Sequence, residues 1–263
     1  GIQTRKHSAP DPMAVRNLQR AHAAGLPTAV YHFVRAYHGA KEQVALILDV
    51  IRNAAVPIFC VALDLEGRPD DPRTPDTDES RGAWWSPDDA EGPVNTADVM
   101  DDLVEMTLML QAAGFRVILY TGAAWHWFVS QKRIEVPQVL ATLGLWSAWY
   151  TRGDRPKLPV GPNGKAWPWA ECLIWQFCGS KPLPGRVEGI RGTCDLNRFR
   201  GSPEAFAAWA ADAAHRPTDP APACLRADLV EQLLEMAVRA KAGGDPDAAG
   251  ELQRAAERIE KLC

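Results

Sequence analysis

Between Pro10 and Gly122 the chain alternates two kinds of apolar pattern, and this alternation restricts its fold more than any other feature. "PDPMAVRNLQRAHAAG" has helical spacing, is closed by Gly25, and is followed by "LPTAVYHF", which reads as a strand. "GAKEQVALILDVIRNAA" is helical again and leads into "VPIFCVALDLEG". The third helical stretch, "NTADVMDDLVEMTLMLQAAG", has Asn95 or Thr96 as its N-cap and Gly114 as its stop, and "FRVILYTG" follows as a strand. Strand and helix in strict turn is the rhythm of parallel α/β folds.

Past Trp125 the rhythm changes. "LWSAWY", "ECLIWQF" and "GTCDLNRF" read as strands separated mainly by loops, and a last helix fits "SPEAFAAWAADAA", with Ser202 as N-cap and Pro203 at the first helical position. The chain of 263 residues therefore divides into a main domain over 1–215, a Pro-rich linker over 216–224 and a tail over 225–263. In the tail, Leu225, Leu229, Leu233 and Ala237 repeat at helical spacing, as do Ala248, Leu252, Ala255, Ile259 and Leu262. The tail reads as an α-helical hairpin too small to hold a core alone, so it docks on the main domain or self-associates.

The chemistry concentrates in "CVALDLEG". In an extended chain Cys60, Ala62, Asp64 and Glu66 share one side, and Val61, Leu63 and Leu65 share the other. The two acids lie about 6.6 Å apart at their Cα atoms. In a parallel α/β barrel catalytic groups stand at the C-terminal ends of strands, so small Cys60 and Ala62 belong in the interior with the acids at the mouth. Two carboxylates this close raise one pKa and leave a proton donor near neutral pH. Such a pair suits glycosidic cleavage; it also suits a divalent metal, or a solvated strand end with a capping role.

Composition removes several alternatives. A net charge of −4 argues against a chain whose main work is gripping nucleic acid or an anionic membrane. Six cysteines without a CxxC pair read as buried apolar residues, not as a disulfide scaffold or zinc site. There is no apolar run of membrane-spanning length, and "GIQTRKHSAPDP" has no signal-peptide core. The ten tryptophans are the unusual element, because several fall near strand ends, where aromatic rings stack on sugars. Trp84 and Trp85, in the polar loop after the acids, either overhang a substrate or anchor that loop.

Taken in order, "AGLPTAVYHF", "CVALDLEG", "VILYTG", "LWSAWY", "LIWQF" and "GIRGTCDLNRF" resemble the glycoside hydrolase family 25 lysozymes, N-acetylmuramidases of phage lysins and bacterial autolysins, over roughly residues 1–214. The resemblance implies a TIM-like (β/α)5(β)3 barrel and cleavage of the β-1,4 bond between N-acetylmuramic acid and N-acetylglucosamine in peptidoglycan. It places Glu66 as general acid, Asp64 as its partner and Asp195 as a third active-site carboxylate. Tyr31, Phe33, Tyr120, Trp146 and Gln176 become cleft residues, while His32, on the other face of its strand, reads as a core or supporting histidine. It implies glycan strands as the partner, no metal or organic cofactor, and a protein that is secreted or phage-encoded and released to the wall. The family's opening Asp-bearing strand has no counterpart here, so the expected barrel is incomplete at its N-terminal side unless another segment or subunit fills the gap. The alternative is a non-catalytic glycan-binding or structural virion barrel; a metal-dependent hydrolase ranks third.

Overall fold

The computed structural model describes residues 10–35, 38–66, 96–122, 136–153, 168–179 and 184–212, with single positions at 125, 156, 158, 238, 250 and 253. The elements are α1 (Ala14–Ala23), β1 (Val30–Phe33), α2 (Ala40–Ala54), β2 (Val61–Leu65), α3 (Thr96–Ala112), β3 (Val117–Thr121), α4 (Gln138–Ala141), β4 (Gly144–Ala148), β5 (Ile174–Cys178), β6 (Leu196–Phe199) and α5 (Pro203–Asp212).

The six strands form one sheet in the order β1-β2-β3-β4-β5-β6. The first five are parallel and β6 is antiparallel to β5. An order that never reverses requires every crossover to pass over the same face, because right-handed connections always step to the same side. The helices obey this: α2 touches α1 and α3, and α3 touches α4, as one layer. Helix α2 shows why, burying Gln43, Val44, Ile47, Val50, Ile51 and Ala54 at intervals of three and four. Each large aliphatic side chain taken from water there contributes about 1.5–3 kcal/mol. Beneath this layer lie Val61, Leu63, Leu65, Val117, Leu119 and Leu145, the core side of the sheet.

The opposite side of the strands holds Cys60, Ala62 and Ile118, with Phe59 and, from α5, Ala210. Helix α5 covers the N-terminal ends of the strands. Phe59, just before β2, meets Phe206 and Trp209 edge-on at 6.0 and 5.2 Å between ring centres. Arg116, just before β3, sets its guanidinium 4.9 Å from the centre of the Trp209 ring and donates to the Trp209 carbonyl at 2.5 Å and to Asp212 Oδ2 at 3.1 Å. The sheet is thus closed at one end, and its C-terminal end is left for chemistry.

The helix ends follow the reading of the sequence. Gly25 and Gly114 after α1 and α3 have φ of 73° and 84°, and Ser202 Oγ accepts from the Ala205 N–H at 3.2 Å as N-cap of α5. Helix α2 ends differently, on Ala55 at φ 53°. Two elements differ in detail from the sequence expectation. The stretch between β3 and β4 contains a four-residue helix, α4, and Glu66 falls one residue past the end of β2. Among the described residues no ladder joins β1 to β6, so what is seen of the expected barrel is an open run of six strands. The loop with Trp84 and Trp85, Asn95, and the linker lie outside the described residues; of the tail only Val238, Gly250 and Gln253 are described, each helical.

Candidate active site

The strand register sets the site. Phe33 pairs with Asp64, Asp64 with Tyr120, Tyr120 with Trp146, and Trp146 with Ile174, so one cross-strand row carries four of the residues picked from sequence. One step nearer the C-terminal end, Ala148 pairs with Gln176 and Gln176 with Asn197. Since β6 is antiparallel, its N-terminal end returns to this same edge, and the charge of Asp195, immediately before β6, acts on Glu66.

Asp64 is 6 % exposed, although it belongs to a carboxylate. Burial, reinforced by the nearby charge of Glu66, pushes its carboxyl well above the ordinary carboxylate range. Glu66 is raised too, first by burial and then by the charge of Asp195, while hydrogen bonds from Tyr120 and Asp64 pull it back. A hydrogen bond between two carboxyls requires one proton between them. Asp64 and Glu66 share that hydrogen bond, and burial favours the protonated form of both carboxyls. The other Asp64 oxygen, Oδ1, is buried with no hydrogen-bond partner among the described residues.

A shell of aromatic and amide groups holds this pair. Burial first, and the charges of Glu66 and Asp64 next, drive the Tyr120 hydroxyl far above the usual phenol range, so it remains a donor. Its ring meets Trp146 edge-on at 5.1 Å, and Trp146 Nε1 donates to Asn197 Oδ1 at 2.8 Å. Gln176, 3 % exposed, donates from Nε2 to the Tyr150 hydroxyl at 3.0 Å. Tyr150 is pushed up to about 12 by burial and by the charges of Asp195 and Glu66. Thr121 Oγ1 donates to the Leu65 carbonyl at 2.9 Å and so fixes the peptide that leads into Glu66.

Tyr31 is 49 % exposed, and its hydroxyl is raised by partial burial and by the surrounding Asp64, Asp11, Asp195 and Glu66. Phe33 lies under the guanidinium of Arg35, 4.6 Å from its ring centre. A cavity of about 320 Å³ between α1, β1 and α2 is lined by Pro10, Asp11, Leu18, Val30, Tyr31 and Ile47 among others; of the predicted site residues it takes in Tyr31 and none of the three carboxylates. His32 points to the other face, as its place in the alternation requires. It is buried and hydrogen-bonds Gln43 Oε1 at 2.9 Å; desolvation lowers it to about 4.

The structure therefore brings together Asp64, Glu66, Asp195, Tyr31, Tyr120, Trp146 and Gln176. Trp84 and Trp85 fall outside the described residues. Tyr150 and Asn197 were not selected from sequence. The alternation in "LWSAWY" puts Tyr150 on the side of Trp146 and would have found it; Asn197 stood within the quoted "GTCDLNRF". Of the other tryptophans, Trp125, Trp169 and Trp175 are core, and Trp149 is 40 % exposed. Among the described residues no group of three or more His, Cys, Asp or Glu is placed to hold a metal ion, and no helix is long and apolar enough to cross a membrane.

The family model described as Glycosyl hydrolases family 25 matches residues 3–186. The chain belongs to glycoside hydrolase family 25. The match to this family covers β1 through β5, including Asp64 and Glu66, and stops short of Asp195, Asn197, β6 and α5. In this family 25 chain the third carboxylate is thus placed by the β5–β6 pairing and the charge interaction with Glu66, not by the match. Neither the curated proteins nor the solved structures gave a match.

Proposed function

We propose that this family 25 chain is a muramidase that cuts the β-1,4 bond between N-acetylmuramic acid and N-acetylglucosamine in the bacterial wall, with the sheet as part of a (β/α)5(β)3 barrel. The observation that carries the reading is the pairing of buried Asp64 with half-buried Glu66, two carboxyls in hydrogen-bonding contact and both raised, at the C-terminal edge of the sheet. Family membership supports the substrate class.

The shared proton suggests how two carboxyls divide the work. In the free site the two carboxyls share one proton across their hydrogen bond. As the glycosidic oxygen approaches Glu66, the shared proton settles on Glu66 and passes to the leaving oxygen while the C1–O bond breaks. Asp64 is then an anion at the moment positive charge develops on the sugar ring, and a buried anion stabilises that charge strongly. Water adds at C1, and its surplus proton restores the pair. Asp195 raises the proton affinity of Glu66 and positions the glycan, and Tyr120 keeps the Glu66 carboxyl oriented. Tyr31, Trp146 and Gln176 line the approach, with the exposed Tyr31 ring as a surface for a sugar.

The test is release of reducing ends from purified peptidoglycan. Glu66→Gln should lower the rate by about 10²–10⁴-fold, the usual worth of a positioned proton donor. The wild-type profile should have an acidic to neutral optimum, because the reaction needs one proton on the pair. Equal release by both proteins, or a flat profile from about pH 4 to 9, sinks the assignment. Wall binding with no release, indifferent to Glu66→Gln, would replace the enzyme with a non-catalytic glycan-binding barrel.

A further inference from the structure

We propose that Gly179 and Gly185 form a shelf that sets the position of Asp195 against the Asp64–Glu66 pair, and that Gly179 is a positioning residue for the reaction. This rests on the hydrolase reading above. Gly179 follows β5 at the edge that carries the acids. A methyl group added to its Cα would overlap Asp195 Oδ1 and lie 2.7 Å from the Tyr150 hydroxyl oxygen and 3.2 Å from Tyr150 Cζ. The two contacts to oxygen are shorter than real Cβ atoms show, so the carboxylate and the phenol occupy the space that any other residue at 179 would need. The same phenol is held from behind by Gln176 Nε2 at 3.0 Å.

Gly185 completes the arrangement through the backbone. Its N–H donates to the Gly179 carbonyl at 2.8 Å, and its carbonyl accepts from the Cys194 N–H at 3.1 Å. The residue before Asp195 is thereby tied to Gly179 through a single intervening glycine. A Cβ on Gly185 would collide with the Cys194 carbonyl and stand 3.2 Å from Cys178 Sγ, so only glycine lets the three segments approach this closely. One glycine makes room for the Asp195 side chain, and the other fixes its backbone.

The two positions separate function from folding. The groups in the way at 179 are the tips of side chains, which can swing aside, whereas at 185 the obstacle is backbone. Gly179→Ala is therefore expected to fold and melt close to wild type while moving Asp195 and Tyr150. Its kcat on peptidoglycan should fall by about 100-fold, as a misplacement of order 1 Å does, with KM within about twofold. In an Asp195→Ala background the same change should cost less than about a further twofold, because its effect passes through the missing carboxylate. A second readout needs no turnover: the Gln176 side-chain amide resonance should shift in Gly179→Ala, since its acceptor has moved. Wild-type kcat in Gly179→Ala, full multiplication of the two losses in the double variant, or an unmoved Gln176 resonance overturns the shelf. A wild type that releases no reducing ends, with the Gln176 resonance still shifting in the variant, overturns the hydrolase reading alone.

Discussion

His32 makes a quantitative prediction about acid stability. Its ring is buried behind β1, and its Nε2 meets Gln43 Oε1, which also accepts the Arg35 N–H at 2.9 Å. Since the oxygen of Gln43 is an acceptor, His32 is the donor, and desolvation of the buried ring keeps it neutral. Desolvation lowers its folded pKa from 6.5 to about 4. A group with a depressed basic pKa binds its proton more readily in the unfolded chain, so its contribution is complete above pH 6.5 and is lost as pH falls toward 4. The shift corresponds to a loss of about 3 kcal/mol across that window. The raised carboxyls of Asp64 and Glu66 act on stability with the opposite sign, so the clean measurement is a difference. His32→Leu removes the titration and keeps an apolar filling, and the carboxyls are common to both proteins. At pH 7 the variant should be less stable by about 1–2 kcal/mol, for one lost buried hydrogen bond and an imperfect fit. Near pH 4 it should be the more stable of the two. Urea titrations followed by tryptophan fluorescence give both free energies. A wild-type-minus-variant difference that stays constant within about 0.5 kcal/mol from pH 7.5 to 4 refutes the burial argument.

Asp64→Asn should show the reverse pH behaviour. A raised carboxyl pKa makes folding hold a proton that the unfolded chain releases, so wild type loses stability relative to the variant as pH rises above the ordinary carboxylate range; peptidoglycan cleavage should fall by about 10²-fold or more, read in parallel melts and reducing-end assays. Thr121→Val deprives the buried Leu65 carbonyl of its side-chain donor, and should cost about 1–3 kcal/mol in urea titration and lower kcat, because Glu66 is the next residue. Ala55→Gly should stabilise by about 0.5–1 kcal/mol with activity unchanged, because Ala55 is exposed and holds a left-handed conformation that suits glycine; a lower melting temperature would contradict this.

Much of the site was legible because a strand is a two-sided object. Alternation alone separated Asp64 and Glu66 from Val61, Leu63 and Leu65, and His32 from Tyr31 and Phe33. Gln43 was not legible. In sequence it is one polar residue on a helix, yet it is fully buried, donating to the Arg35 and His38 carbonyls at 2.9 and 2.6 Å and so holding the turn after β1. Nothing in helical periodicity marks a side chain that serves a neighbouring loop. The hydrogen bond between the two acids was equally hidden, because it depends on side-chain directions that strand spacing does not set. The spacing of "DLE" could only make one of the two acids a donor, whereas in the folded site burial and neighbouring charge raise both carboxyls.

Helix α5 is among the last of the described elements to leave the ribosome, and it covers side chains that emerged early. Phe59 and Arg116 wait for Phe206, Trp209 and Asp212. Until then the strands present an uncovered aromatic and aliphatic underside to solvent, a natural period for chaperone contact. A recombinant boundary drawn at residue 186, where the family match stops, would make that exposure permanent, since it removes both β6 and α5. Such a truncation should yield insoluble protein even though Asp64 and Glu66 remain in place.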